Sequence, residues 1–237
     1  MSPARRALVF GGSGAVGAEV VRGLVARGVT VTFTWWQSRE RALALADATG
    51  AAPLHLDLRD AEAIRDALYA MASTAPPDVL VHCAALGKSA SLTGLTDTDW
   101  DEAHAVNARA PFVAVHALTP HWMVGGGADV VLVGALDRAQ TLPLPVAFAA
   151  SQGTLPALAM ALARELGPQG IRVNVLAAGV LDAGLGATLA PAVRADYLEF
   201  SALRRVGQPT EIARAAVWLA LENRFMNGKV LPVNGGI

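Results

Sequence analysis

Cysteine is nearly absent: Cys83 stands alone among 237 residues. A single thiol excludes an internal disulfide and any multi-cysteine metal site, and its place in an apolar run reads as a core thiol in a reducing compartment. No metal is expected. An excess of charge of one sign is also lacking. Lys and Arg number 19 against 20 Asp and Glu, a net charge of −1, so no basic field exists to attract nucleic acid or an anionic membrane, and neither is expected as a partner. The N-terminal stretch has no long apolar run: Met1 to Arg6 leads straight into Ala7 to Phe10, too short for a signal-peptide core or a membrane span. A cytoplasmic location is the expectation. Linkers, internal repeats and low-complexity tracts are missing, and Gly125-Gly126-Gly127 reads as a turn between a helix and a strand, so residues 1–237 are expected to form one domain.

What the chain does have is apolar material, 53% of its residues, arranged as short β-branched runs alternating with longer Ala/Leu-rich stretches at helical spacing. That alternation predicts repeated strand-helix-strand units and a parallel sheet. The expected strands are Ala7 to Phe10, Val29 to Thr34, Pro53 to Leu56, Val79 to Cys83, Val130 to Val133, Arg172 to Leu176 and Lys229 to Val233. Most are apolar almost continuously, as strands covered on both faces are. Helices are expected over 15–27, 39–49, 60–73, 98–122, 150–166 and 209–221.

Between the first strand and the first helix lies Gly11-Gly12-Ser13-Gly14-Ala15-Val16-Gly17. A dinucleotide pyrophosphate needs backbone N–H groups close by, with no Cβ in the way, and the positive end of a helix facing it. Gly12, Gly14 and Gly17 have the spacing G-x-G-x-x-G. In this strand-to-helix context the spacing favours dinucleotide binding over a purely structural turn.

Further motifs carry a family resemblance. Leu56-Asp57-Leu58 closes the third strand, Asp78 to Ala85 forms the fourth, and Val106-Asn107-Ala108 lies in the long central helix; Gly170 to Val175, Gly207 to Ala213 and Asn227 to Gly236 follow. Together with the glycine loop, these are similar to the signatures of the short-chain dehydrogenase/reductases, and among them of the 3-oxoacyl-carrier-protein reductases. The resemblance implies a Rossmann-type, doubly wound α/β fold with a parallel sheet of about seven strands and helices on both faces. It also implies a nicotinamide dinucleotide held by Gly11, Ser13, Gly14, Val16 and Gly17, with Asp57 and Leu58 at the adenine and Ala84, Ala85 and Gly179 along the strand ends. NAD-preferring relatives carry an acidic residue after the second strand. None occurs between Thr32 and Arg39, and Ser38 and Arg39 suit a 2′-phosphate, which favours NADP(H) unless binding has been lost. Trp35 and Trp36 would stack on the adenine, fill its pocket, or pack on a neighbouring strand.

The departures bear on activity. The resembled family uses an Asn-Ser-Tyr-Lys tetrad, of which Asn107 alone remains; Ala135, Phe148 and Gln152 occupy the other three places. Phenylalanine has no proton to give the alkoxide that hydride transfer creates, and a neutral glutamine cannot lower a neighbour's pKa as an ammonium does. Ordinary ketoreductase activity is therefore not expected. The chain has two tyrosines, Tyr69 and Tyr197, and two lysines, Lys88 and Lys229, so substitutes are few. Tyr197, in the stretch where the family keeps its substrate lid, and Asp137, beside Arg138 after the fifth strand, are the candidate proton donors. His82, where the family has asparagine, either faces the pocket or is buried and hydrogen-bonded. Gly153 and Pro156 predict that the following helix kinks or starts late, with Pro156 in its first turn as a third option. The favoured expectation is a non-catalytic, regulatory or structural subunit that retains NADP(H). The alternative is an NADP(H)-dependent reductase of ketones or acyl thioesters, or a non-redox enzyme, using an atypical proton donor. Expected partners are copies of the chain as a dimer or tetramer, an active paralogue, and an apolar small molecule or acyl chain.

Overall fold

Alternate residues of the first strand face opposite ways, Leu8 and Phe10 into one apolar layer and Ala7 and Val9 into another, so helices must cover both sides. A computed structural model describes residues 5–88, 90–135 and 144–237. Its strands are β1 Arg6–Phe10, β2 Thr30–Trp35, β3 Ala52–His55, β4 Val79–His82, β5 Ala128–Gly134, β6 Ile171–Ala178 and β7 Val230–Val233. They form one 7-stranded sheet in the order β3-β2-β1-β4-β5-β6-β7, every pair parallel. The chain direction of travel across the sheet reverses between β1 and β4. The carboxyl ends of those strands are where open sheets of this type bind ligands.

One face is covered by α1 Ala15–Val25, α2 Arg39–Thr49 and α8 Pro209–Leu221, which bury Val20, Leu24, Phe33, Val81 and Val217. The other is covered by α3 Ala61–Ala72, α5 Ala110–Gly125 and α6 Val146–Leu166, burying Leu68, Leu80, Leu118, Leu132 and Leu155. The single helix expected over 98–122 is α4 Asp97–His104 running through a π-helical segment, Ala105–Arg109, into α5. A further helix, α7 Pro191–Phe200, was absent from the expected set because Ala, Leu and Pro share the stretch with little apolar periodicity.

The expected late start of the helix at 150 is corrected. α6 begins at Val146 and runs unbroken to Leu166 with Pro156 inside it, so Pro156 is not a first-turn proline. Its ring removes the N–H that would bond the Gln152 carbonyl, a loss of about 3 kcal/mol in an isolated helix. Packing of Leu155, Ala159 and Leu166 into the core offsets it. Val146–Gln169 is also long and apolar enough to cross a membrane, with a mean hydropathy of 1.4, but in this fold it flanks β5 and β6.

His82 ends β4 and is 0% exposed, edge-on to Phe10 at 6.0 Å. The expectation that a buried His82 would be hydrogen-bonded is corrected: among the described residues neither ring nitrogen has a partner, the Val106 backbone being the polar group that bears on the ring. The β4 register fixes the side chain in the apolar layer beneath α5, where among the described residues the Val106 backbone is the one polar group bearing on it and is not placed for a well-formed hydrogen bond. Burial pushes the imidazole down to about 4. The unfolded chain takes up a proton near 6.5, so the stability tied to this neutral ring is complete above about pH 6.5 and is lost as pH falls toward 4, amounting to about 3 kcal/mol. Thermal unfolding between pH 7.5 and 4.5 should therefore show a fall in Tm that shrinks in His82→Leu. An equal fall in both proteins would remove His82 as the cause.

Candidate functional site

The groove begins where β1 ends. Gly11 adopts φ +73°, and a Cβ there would lie 2.7 Å from the Ala84 Cα. The turn is pinned to β2 by two bonds: the Gly11 N–H donates to Thr34 Oγ1 at 3.0 Å, and the Gly12 N–H to the Thr34 carbonyl at 2.9 Å. Gly14 caps α1 without a side-chain hydrogen bond, and the first turn holds no acidic residue. The free N–H groups of that turn are left for an anion. The cradle therefore fits a pyrophosphate.

The groove has a volume of about 550 Å³ and runs along the carboxyl ends of the strands. Of the expected cofactor residues, Gly11, Ser13, Gly14, Val16, Ser38, Asp57, Leu58, Ala84, Ala85 and Gly179 all line it. Gly17 does not: a Cβ there would lie 2.2 Å from the Gly11 carbonyl oxygen, so this glycine lets α1 pack against the turn and makes no wall. Arg39 is likewise not brought to the groove. It is the first residue of α2; Arg41, whose guanidinium donates to Ser38 Oγ, does not line the groove either and faces the adjoining pocket beside Ser13, Gly14 and Ala15.

At the outer end, Trp36 stacks on His55 at 5.0 Å with the rings 4° apart, and the Arg59 guanidinium lies 5.6 Å from the Trp36 ring centre. Trp35 tilts against the same histidine at 4.4 Å. Arg59 donates to both oxygens of Asp57, at 3.0 Å and 2.8 Å, and to Glu102 at 2.6 Å. Those bonds hold the Asp57 carboxyl below the usual carboxylate range. Arg59 and Glu102 line the groove yet are missing from the expected site; the Asp-x-Arg spacing after β3 was the available signal.

At the inner end the tetrad positions come together, except that Asn107 stands back. It is 0% exposed in the π-helical segment. Its Oδ1 accepts from the Leu86 N–H at 2.7 Å, while its Nδ2 donates to the Leu86 carbonyl at 2.8 Å and to Ser151 Oγ at 2.9 Å. Asn107 thus ties the loop after β4 to α6. Ala135, Phe148 and Gln152 line the groove. The Phe148 ring lies against Gly87, where a Cβ would come within 2.8 Å of it, and Gln152 Oε1 accepts from the Ala135 N–H at 3.2 Å.

Tyr197 also lines the groove, but its hydroxyl donates to the Asn234 carbonyl at 2.6 Å, and burial raises its pKa. Asp137 and Arg138 lie outside the described residues. Tyr69 is exposed on α3, and Lys88 pairs with Asp99 at 3.0 Å; neither lines the groove. Cys83 does, with its thiol pushed up to about 12 by burial, which leaves no thiolate at neutral pH. No cluster of metal-ligating side chains occurs among the described residues.

Comparisons with known proteins agree with this geometry. A family model described as enoyl-(acyl carrier protein) reductase matches residues 12–237. The cyclic-di-GMP-binding biofilm dispersal mediator protein of Escherichia coli K12 is 32% identical over 231 residues, covering 96% of this chain and 94% of that protein. The 3-oxoacyl-[acyl-carrier-protein] reductase of Staphylococcus aureus is 25% identical over 244 residues, covering 100% and 99%. The crystal structure of BdcA in complex with NADPH superposes with a TM-score of 0.89 at 32% identity, covering 98% of this chain and 94% of that one. With its switch-point groove, glycine cradle and end-to-end matches, the chain belongs to the short-chain dehydrogenase/reductase family.

Proposed function

We propose that this protein binds NADP(H) and does not use it to reduce carbonyl compounds by the family's tyrosine-lysine route, acting instead as a binding, regulatory or structural subunit. One observation carries the reading: a complete phosphate cradle is joined, in the same groove, to a phenyl ring and a neutral amide at Phe148 and Gln152. Binding needs only the first part. Proton delivery to an alkoxide needs an acidic O–H or N–H at the second. The Tyr197 hydroxyl is already given to the Asn234 carbonyl. A relative solved with NADPH supports the cofactor, and the Escherichia coli relative is described by the nucleotide it binds and the process it mediates. Ser38 and Arg41, with no acid at the end of β2, support the phosphorylated cofactor. Phe112 and Met123 on α5 and Val146 and Met160 on α6 are exposed, which supports association of these helices with a second copy or an active paralogue.

Titration with NADPH and NADH, followed by tryptophan quenching and nicotinamide emission, should give micromolar binding of NADPH and at least about tenfold weaker binding of NADH, a difference of 1.4 kcal/mol. No binding at millimolar NADPH would overturn the cofactor reading. In a panel of ketones and acyl thioesters, the native protein should consume NADPH no faster than the buffer control. The triple variant Ala135→Ser, Phe148→Tyr, Gln152→Lys should exceed it by about 100-fold or more, the range one general acid supplies. Turnover by the native protein would sink the non-catalytic reading.

A further inference from the structure

The segment that covers the inner half of the groove has little apolar packing of its own. Residues 182–206 leave the sheet after β6 and return at α8, and Leu185, Leu189 and Tyr197 from this segment line the groove. Backbone closes its base: the Asp182 N–H donates to the Gly207 carbonyl at 3.0 Å and the Gly207 N–H to the Val180 carbonyl at 2.8 Å. Of the 10 residues of α7, Tyr197 is the one fully buried. A helix this short is marginal in water, and one buried side chain is too little to hold it against the groove. Polar bonds supply the rest. Tyr197 in α7 and Ser201, its cap residue four positions on, lie on one face and are 1% and 0% exposed. They reach two successive carbonyls of the stretch that leaves β7. The Tyr197 hydroxyl donates to the Asn234 carbonyl at 2.6 Å and Ser201 Oγ to the Gly235 carbonyl at 3.0 Å, which also accepts from the Leu203 N–H at 3.0 Å. Glycine makes the approach possible: a Cβ at residue 179 would lie 2.3 Å from the Tyr197 hydroxyl oxygen, and one at residue 235 would lie 2.7 Å from Ser201 Oγ. Just beyond, Arg204 has φ +52°, the one non-glycine residue with a positive φ among the described residues. Strained backbone persists where its surroundings fix it, and Arg204 is fixed between these bonds and the Arg205–Glu211 pair at 2.6 Å.

We propose that Tyr197 and Ser201 form a latch that fastens α7 to residues 234 and 235 and keeps the inner half of the groove covered with no ligand bound. The cover is closed before a ligand arrives, and parting the two hydroxyls from their carbonyls is the step that opens it. Because the bonds join α7 to the end of β7 and not to the layers beneath the sheet, the segment opens while the sheet stays folded. Residues 182–206 then move as one piece about the backbone pair at Asp182 and Gly207, with the strained turn at Arg204 relaxing as the latch parts. The latch is independent of cofactor binding and is tested on cofactor-free protein, so its failure and that of the NADP(H) reading are separate results.

Amide hydrogen exchange of the full chain, read by mass spectrometry on peptides spanning α7, measures how often the latch parts. In the native, cofactor-free protein these amides should exchange at least about 100-fold more slowly than in an unstructured peptide of the same sequence. Tyr197→Phe keeps the ring and removes the donor; it should speed exchange in α7 about tenfold, the worth of one hydrogen bond, and leave α1 and α5 at their native rates. Ser201→Ala should do the same, and the double variant should speed α7 about 100-fold. Native α7 exchanging at the rate of the free peptide would overturn the proposal, as would native rates in both single variants. Faster exchange in α1 and α5 to the same degree as in α7 would also overturn it, since the two hydroxyls would then support the whole fold and not a separate cover. The native measurement stands whether or not any variant folds.

Discussion

A methyl group at residue 17 would lie 2.2 Å from the Gly11 carbonyl oxygen, and one at residue 12 would lie 2.4 Å from the Phe33 side chain. Neither contact can be relieved by a rotamer change, because backbone or a buried ring stands on the other side. The end of β1, the start of α1 and the face of β2 therefore meet only through hydrogen atoms. That approach sets α1 over the strand ends, leaves its unbonded N–H groups facing outward, and brings the loop after β4 down to Gly11, where Ala84 closes the floor. The groove is a consequence of packing that the fold needs in any case. The cradle's backbone is thus set by contacts that do not involve residues 135, 148 and 152.

The same division runs through the inner end. Asn107 uses its whole amide to tie Leu86 and Ser151 together, a buried cluster in which each bond is worth about 1 kcal/mol and each orphaned group would cost more. That burden is architectural: the amide is fully used within the fold. Phe148 and Gln152 carry less. A phenyl ring packs against Gly87 without any hydrogen bond to satisfy, and a neutral amide accepts from the Ala135 N–H at a place where a cation would need a partner. The two side chains are mutually consistent: with no cation at this end of α6, an apolar neighbour needs no partner.

How much of this could be read from the sequence follows from which forces act locally. β1, β4, β5 and β6 were legible because strands buried on both faces must be apolar nearly throughout, and the glycine turn because its spacing answers to a backbone clash. Asp57, Leu58, Ala84, Ala85 and Gly179 could be placed through motif resemblance, and the groove includes them. Gly17 and Arg39 could not be sorted correctly, since lining a groove depends on which side of a helix start faces it, a matter of one residue in register. α6 was expected to begin at 150 because Gly153 and Pro156 disfavour helix locally, yet tertiary burial of Leu155 and Ala159 carries it back to Val146. Arg59 escaped notice because its role comes from Glu102, 43 positions away, and no local pattern encodes such a partner.

The two ends of the groove are thus built on opposite terms. Along β2 and β3 the lining is stacked aromatic rings and an ion pair, with Arg59 holding Asp57 ionised beneath Trp36. Along β5 and β6 it is alanine, valine and glycine backed by the apolar residues of α6 and of the segment after β6. The two ends therefore offer different surroundings, aromatic faces and an ion-pair cluster at one and apolar side chains at the other, with the free N–H groups at the start of α1 between them. Field strength in each half follows from the same geometry: charges at the outer end are partly solvated and screened, whereas the inner end is lined mainly by apolar side chains, beside which a hydrogen bond counts for more.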